Sequence, residues 1–311
     1  MAITGPLLTR QRVMKVILEA TPGSKLAGTQ ALTVFDPVIN PSAPFEERND
    51  VGLYRGPSTP GVVGERSGKC TFAAEMRGGA AGTLEPGLAI LLQACGFKQT
   101  VQVYNTHSTP SNDKCISLDI WQAGRKKGLA GAAGEVTFGG DIGKRMMCTF
   151  DLSGIWEPPV DEALPAFAPS VTPPIFIQSG TFTWHEKAFK IGSFELKMGN
   201  VVVERKSVAG VGGIAHYLIT YQVPLLTVTP EAALINDTTG HDFYGDWLAG
   251  TPVAVSLVIA SAVDEVTFTM PAVQIREISE GDRDGTAIEN LVGQCNHSTG
   301  DDAVTITAAA S

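Results

Sequence analysis

Apolar residues at every second position recur in short runs along most of this chain, and that period of two confines it to β-structure. In Lys69-Cys70-Thr71-Phe72-Ala73-Ala74-Glu75-Met76-Arg77, the residues Cys70, Phe72, Ala74 and Met76 form one face, and Lys69, Thr71, Glu75 and Arg77 the other. The same reading predicts strands at Val13 to Leu18, Cys115 to Trp121, Met146 to Ile155, Phe194 to Lys197, Tyr217 to Val223 and Val253 to Ile259. Gly and Pro clusters separate them. Two segments break the alternation and predict helices. Gly87 to Cys95 is followed by Gly96, suited to a left-handed helix end. The second opens at Asp242 as N-cap and stops at Gly250. Two lone helices among many strands predict a mainly β chain, a sandwich or barrel with one flanking short helix per module.

Six prolines, Pro158, Pro159, Pro165, Pro169, Pro173 and Pro174, crowd the stretch from Glu157 to Pro174. Each removes a backbone donor and fixes φ, so the stretch reads as an extended linker. It divides the 311 residues into a first β module at 1–157, a linker at 158–174 and a second β module at 175–311. The two halves look like copies of one another. Ile116-Ser117-Leu118-Asp119-Ile120 matches Val255-Ser256-Leu257-Val258-Ile259, and Glu135-Val136-Thr137-Phe138 recurs as Glu265-Val266-Thr267-Phe268. The order of strands and helix around these matches is shared, which points to a duplicated unit.

The residues that carry chemistry form no catalytic, cofactor-binding or metal-binding constellation. With 23 basic against 32 acidic residues the net charge is −9, the wrong sign for gripping phosphates. The cysteines Cys70, Cys95, Cys115, Cys148 and Cys295 are odd in number and lack paired spacing, so they read as buried thiols in a reducing compartment. His107, His185, His216, His241 and His297 form neither HxH nor HExxH. Gly139-Gly140-Asp141-Ile142-Gly143-Lys144 lacks both the first Gly of a phosphate loop and its Ser or Thr, and reads as a turn between strands. Asp282-Arg283-Asp284-Gly285 lacks the distal Glu of a calcium loop and reads as a polar hairpin turn. Trp121, Trp156, Trp184 and Trp247 are expected in the core or at interfaces. The start of the chain has no signal-peptide pattern, and no run approaches the roughly 18 apolar residues of a membrane span. A soluble, non-enzymatic protein is therefore expected.

One longer stretch is more specific. Gly64-Glu65-Arg66-Ser67-Gly68 leads into a strand ending Glu75-Met76-Arg77-Gly78, then a Gly/Ala loop, then Leu91-Leu92-Gln93-Ala94-Cys95-Gly96-Phe97. This order resembles the major tail tube proteins of long non-contractile-tailed bacteriophages, the siphophage tail tube family. The likeness extends through Gly154-Ile155-Trp156, Phe194-Glu195-Leu196-Lys197-Met198-Gly199-Asn200 and Pro271-Ala272-Val273-Gln274-Ile275. It departs at Val51 to Pro60, a long Pro/Gly segment.

The resemblance implies two tandem β-sandwich or barrel tail-tube modules whose inner sheets join into a ring-shaped β-barrel. It implies a structural virion protein, assembled in the host bacterial cytoplasm, whose stacked rings form the channel for genome ejection. Three two-module chains would complete a ring, with six as the alternative. Further partners would be the tape measure, terminator and distal tail proteins. DNA would pass through the lumen without specific binding, and no membrane is involved. Gly79, Ala80, Ala81 and Gly82 are the candidate ring-stacking loop, and Arg125, Lys126 and Lys127 a solvated loop tip or the candidate intersubunit contact loop. Longer loops at 36–61, 78–86 and 99–112 are further candidates for ring-to-ring contacts. Rival readings are another phage tail component, such as a terminator, distal tail or decoration protein, or an adhesive carbohydrate-binding β-sandwich with a surface aromatic platform.

Overall fold

A computed structural model describes residues 8–48, 55, 59–79, 82–168, 170, 172–235, 240–260 and 264–310. The fold is mainly β, with twenty-one strands and two α-helices among these residues. The first half carries β1 (Arg12–Leu18), β2 (Gln30–Leu32), β3 (Val34–Ser42), β4 (Phe45–Glu46), β5 (Val62–Val63) and β6 (Ser67–Glu75). After α1 (Pro86–Ala94) come β7 (Phe97–Thr100), β8 (Val103–Thr106), β9 (Ile116–Gln122), β10 (Arg125–Asp141) and β11 (Met147–Asp161). The second half opens with β12 (Ser179–Trp184), β13 (Lys187–Phe189), β14 (Ile191–Lys197), β15 (Asn200–Lys206), β16 (Ile214–Gln222) and β17 (Leu225–Pro230). It continues with α2 (Phe243–Ala249), β18 (Val253–Ala260), β19 (Asp264–Arg283), β20 (Thr286–Asn296) and β21 (Thr305–Ala310).

Seventeen strands are hydrogen-bonded into one antiparallel system, while β4–β5 and β15–β16 are separate two-stranded sheets. Two long strands organise the system by changing partners along their length. On one edge of β10 lies β11 throughout; the other edge pairs first with β9 and then, from Thr137↔Lys197 to Asp141↔Ser193, with β14. β19 has β18 on one edge of its first part, and β21 then β20 on the other. The β10–β14 ladder joins the two halves of the chain. A second junction places Thr305 of β21 opposite Asn105 of β8. The interior is correspondingly continuous: Phe138 packs edge-on against Phe97 at 6.1 Å and Phe268 at 5.4 Å, and Phe268 meets Phe194 at 5.4 Å. The phenylalanines of the two Glu-Val-Thr-Phe segments thus touch. The repeated segments are nonetheless paired differently. Leu257 lies opposite Phe268, whereas Leu118 lies opposite Leu129, because β10 is extended and shifts register between Leu129 and Ala132.

Four prolines inside strands occupy places where the ladder is already broken, whereas Pro41 pairs in register with Gly68 near the end of β3. Pro37 falls at the shift between Phe35 and Val38, Pro158 and Pro159 opposite the shift at Lys126/Gly128, and Pro271 opposite the shift at Val253/Val255. A bulge leaves one residue without a ladder partner, so a missing N–H costs little there. For this reason β11 runs on to Asp161, through the first two prolines of the stretch that reads as a linker.

Local signals account for both helices. Pro86 and Gly87 open α1, and Gly96 follows it at φ +86°, where a side chain would be strained. The Asp242 carboxylate accepts from Gly245 N at 2.8 Å, and Gly250 closes α2 at φ +65°. In β6 the expected apolar face is the buried one: Cys70, Phe72, Ala74 and Met76 are at most 3% exposed. Glu75 departs from its expected polar face and is also buried, because Arg77 and Arg145 reach over to pair with it. β9 is buried on both faces. The segment after β1 covers it, with Lys25 Nζ 2.7 Å from Asp119 Oδ1 and Leu26 N donating to Ser117 Oγ at 2.9 Å.

Candidate assembly surfaces

The expected stacking loop begins at a closed turn. Gly78 bridges Leu84, Gly79 N donates to Thr83 O at 2.5 Å, and Gly82 sits at φ +71°. Ala80 and Ala81 lie outside the described residues. The base is packed so tightly that a Cβ on Gly78 would lie 2.1 Å from the Asp264 carboxyl carbon. Beneath it, Arg145 Nη1 donates to Glu75 Oε1 at 2.6 Å, and its guanidinium lies 4.8 Å from the Phe35 ring centroid. Arg77 also pairs with Glu75 and donates to Ser170 O and Thr172 O. Burial pushes the carboxyl of nearby Glu85 up from its ordinary value; Arg77 opposes the shift and Glu75 adds to it.

The basic run does not form a loop. Arg125, Lys126 and Lys127 are the first residues of β10, and the turn before them is Ala123-Gly124, with φ of +46° and +98°. Positive φ at both central residues makes it a two-residue hairpin turn, so the basic residues enter the ladder at once. Lys126 pairs with Glu162 and lies 5.6 Å from the Trp121 ring centroid, while Trp121 Nε1 donates to Glu162 at 3.1 Å. The Lys126 hydrogen bond holds the Glu162 carboxyl below its ordinary value. Arg125 is exposed and Lys127 half-buried. No hydrogen bond or ion pair among the described residues brings this run together with the Gly79 turn.

Two surfaces stand out by exposure, one partly inside the candidate contact segment 36–61 and one that the loop-based reading passed over. In the β4–β5 arm, Phe45 is 61% exposed, Val62 56% and Val63 58%. In β15–β16, Val201, Val203 and Tyr221 are exposed on alternate positions, while Val202 and Tyr217 pack inward against Ala130, Ala133 and Ile155. Lys206 of β15 pairs with Glu65, at the foot of the arm, at 3.1 Å. Apart from each other, neither β4 and β5 nor β15 and β16 have a strand partner among the described residues. The Val201-Val202-Val203 run was the available signal, since alternation within an all-apolar run hides which face is wet. Of the longer loops, 36–42 belongs to β3, while 97–106 forms the β7–β8 hairpin.

The cysteines are all buried thiols. Burial pushes Cys70, Cys115 and Cys295 up to about 12 and raises Cys95 and Cys148 well above the ordinary thiol value, so none carries a thiolate at neutral pH. Among the described residues no group of three His, Cys, Asp or Glu side chains is arranged to hold a metal ion. His241 stacks on His185 at 5.2 Å and bonds Asp246 at 2.6 Å, which ties α2 to the β12–β13 turn. No helix among the described residues is long and apolar enough to cross a membrane. No protein-family model and no curated protein matches the sequence.

Proposed function

We propose that this chain is a structural virion protein that polymerises into stacked rings forming the tail tube of a non-contractile-tailed bacteriophage, the channel for genome ejection. The observation that carries the reading is the pair of two-stranded elements with exposed apolar residues and strand edges that are unpaired among the described residues. The β4–β5 hairpin on its own is marginal in water, and β15–β16, though seated on β10 and β11 through Val202 and Tyr217, has open edges of the kind that recruit further strands. Pairing between copies satisfies both needs. The resemblance to siphophage tail tubes supplies the form of the assembly: two tandem modules per chain, three chains to a ring rather than six, and inner sheets joined into one barrel. Tape measure, terminator and distal tail proteins are the further partners, and the role is non-enzymatic.

Geometry is compatible with that form. Six modules giving four strands each, spaced about 4.8 Å and tilted about 45°, make a barrel roughly 52 Å across the backbone. Side chains leave a lumen on the order of 40 Å, open to duplex DNA. A net charge of −9 favours a wall that repels phosphates rather than holding them. Negative-stain electron microscopy of the concentrated protein tests the proposal. Hollow rings or filaments are expected, and mass per ring separates three chains from six. A protein that stays monomeric at all concentrations and beside preformed phage tail tips would overturn it.

A further inference from the structure

A cleft of about 410 Å3 opens between the end of β16, the segment 107–113 and the end of β20. Its volume is that of a small-ligand site, about 300–1,000 Å3. At its wall, His107 has a side chain 2% exposed, yet among the described residues neither ring nitrogen has a hydrogen-bond partner. The nearest acceptor, Asp113 Oδ1, is 3.7 Å from His107 Nε2, too far for a direct bond. A buried polar group left without a partner calls for a bound molecule to supply one. An oxygen seated to one side of the pair, not between them, would lie within bonding distance of both. A hydroxyl fits the chemistry, because it accepts from an imidazole N–H and donates to a carboxylate at the same time.

The rest of the lining favours a molecule with many hydroxyls. Gln222 Nε2 donates to Asn200 Oδ1 and Gln294 Nε2 to Asn296 Oδ1, each at 2.8 Å, so the two Gln amides are held in fixed orientations. Tyr221 lines the same cleft and is 64% exposed. An exposed ring beside fixed amides offers an apolar platform next to matched donors and acceptors. Asp113 is the only carboxylate of the lining, and no Lys or Arg lines it, so nothing there draws a phosphate or other anion. Burial raises the Asp113 carboxyl, which lowers the attraction for a cation as well.

We infer that this cleft is a binding site for a neutral saccharide, with a hydroxyl bridging His107 and Asp113 and the sugar ring lying on Tyr221. Tyr221 also stands on the exposed β15–β16 face, but sugar binding by the free chain requires no rings, and their absence would leave the site untouched. Saturation-transfer NMR and calorimetric titration of the full chain with glucose, galactose, N-acetylglucosamine and maltose test it. At least one sugar is expected to bind with a dissociation constant on the order of millimolar. That sugar shifts the His107 imidazole resonances, and Tyr221→Ala or Gln294→Ala weakens it about tenfold or more. Tyr221 is exposed, so its removal leaves the fold intact, which circular dichroism checks. Failure of all four sugars to bind at up to about 50 mM, a cleft holding solvent only, overturns the proposal. So does binding that leaves His107 unmoved or tolerates Tyr221→Ala.

Discussion

Replacing Phe138 by alanine tests whether the two halves of the chain share one interior. The ring is fully buried and packs edge-on against Phe97 from the first half and Phe268 from the second. Truncating a buried Phe costs about 3–5 kcal/mol, the lost transfer energy plus the cavity. For a fold stable by about 5–15 kcal/mol this is between about a fifth and the whole of the total. Urea unfolding followed by the fluorescence of buried Trp121 and Trp184 reads the change, as a fall in midpoint at unchanged slope. Phe268→Ala and the double variant complete a cycle. Two rings in contact should show a coupling of about 0.5–1.5 kcal/mol, whereas separated sites add within about 0.3–0.5 kcal/mol. Because β10–β14 and the Phe138–Phe268 contact both cross between halves, the wild-type protein should unfold in one transition. A loss below about 1 kcal/mol, an additive cycle or two separate transitions would each refute the shared core.

Three further outcomes are expected. Val201→Asp with Val203→Asp, both at exposed positions of β15, should leave monomer stability within about 0.5 kcal/mol while abolishing rings and filaments; persistence of filaments by microscopy would remove β15 from the interface. The buried thiols should resist an aromatic disulfide reagent at pH 8 and react, five per chain, only after denaturation; a fast-reacting native thiol would contradict their burial. Glu85→Gln should stabilise the protein at pH 7. The folded-state pKa of Glu85 is raised from about 4.5, so its contribution is present below that value and lost as pH rises through the folded value. The gain from the substitution should therefore shrink on acidification, and thermal melts of both proteins from pH 4 to 7 would show it; a gain independent of pH would assign the effect to packing.

Signals that are local in the chain were legible. Asp242 and Gly250 mark the ends of α2 because a cap depends on a few neighbouring residues, and the alternation through Cys70, Phe72, Ala74 and Met76 names a buried face without knowing what covers it. Legibility stopped where a distant segment decides the outcome. Glu75 is buried because Arg145, seventy positions on, reaches it. Ser117 and Asp119 alternate as a wet face would, but the segment bearing Lys25 and Leu26 closes over them. Arg125, Lys126 and Lys127 read as a loop until the turn is placed at Ala123-Gly124, and Pro158 and Pro159 read as a linker until a bulge accommodates them. Candidate surfaces suffered most. The exposure of Phe45, Val62 and Tyr221 follows from what fails to cover them, and a sequence pattern does not encode the absence of a neighbour.

The ladder between β8 and β21 also sets a clock. Thr305 lies opposite Asn105, so β8 leaves the ribosome two hundred residues before its partner. At about 5–20 residues per second, synthesis leaves the β7–β8 hairpin waiting for roughly 10–40 s. During that interval one side of β8 is open to any strand nearby, including those of other nascent copies on the same message. The chain thus passes through a stage when an open strand edge is free to pair indiscriminately, and its yield in a crowded cell should depend on chaperone supply during translation.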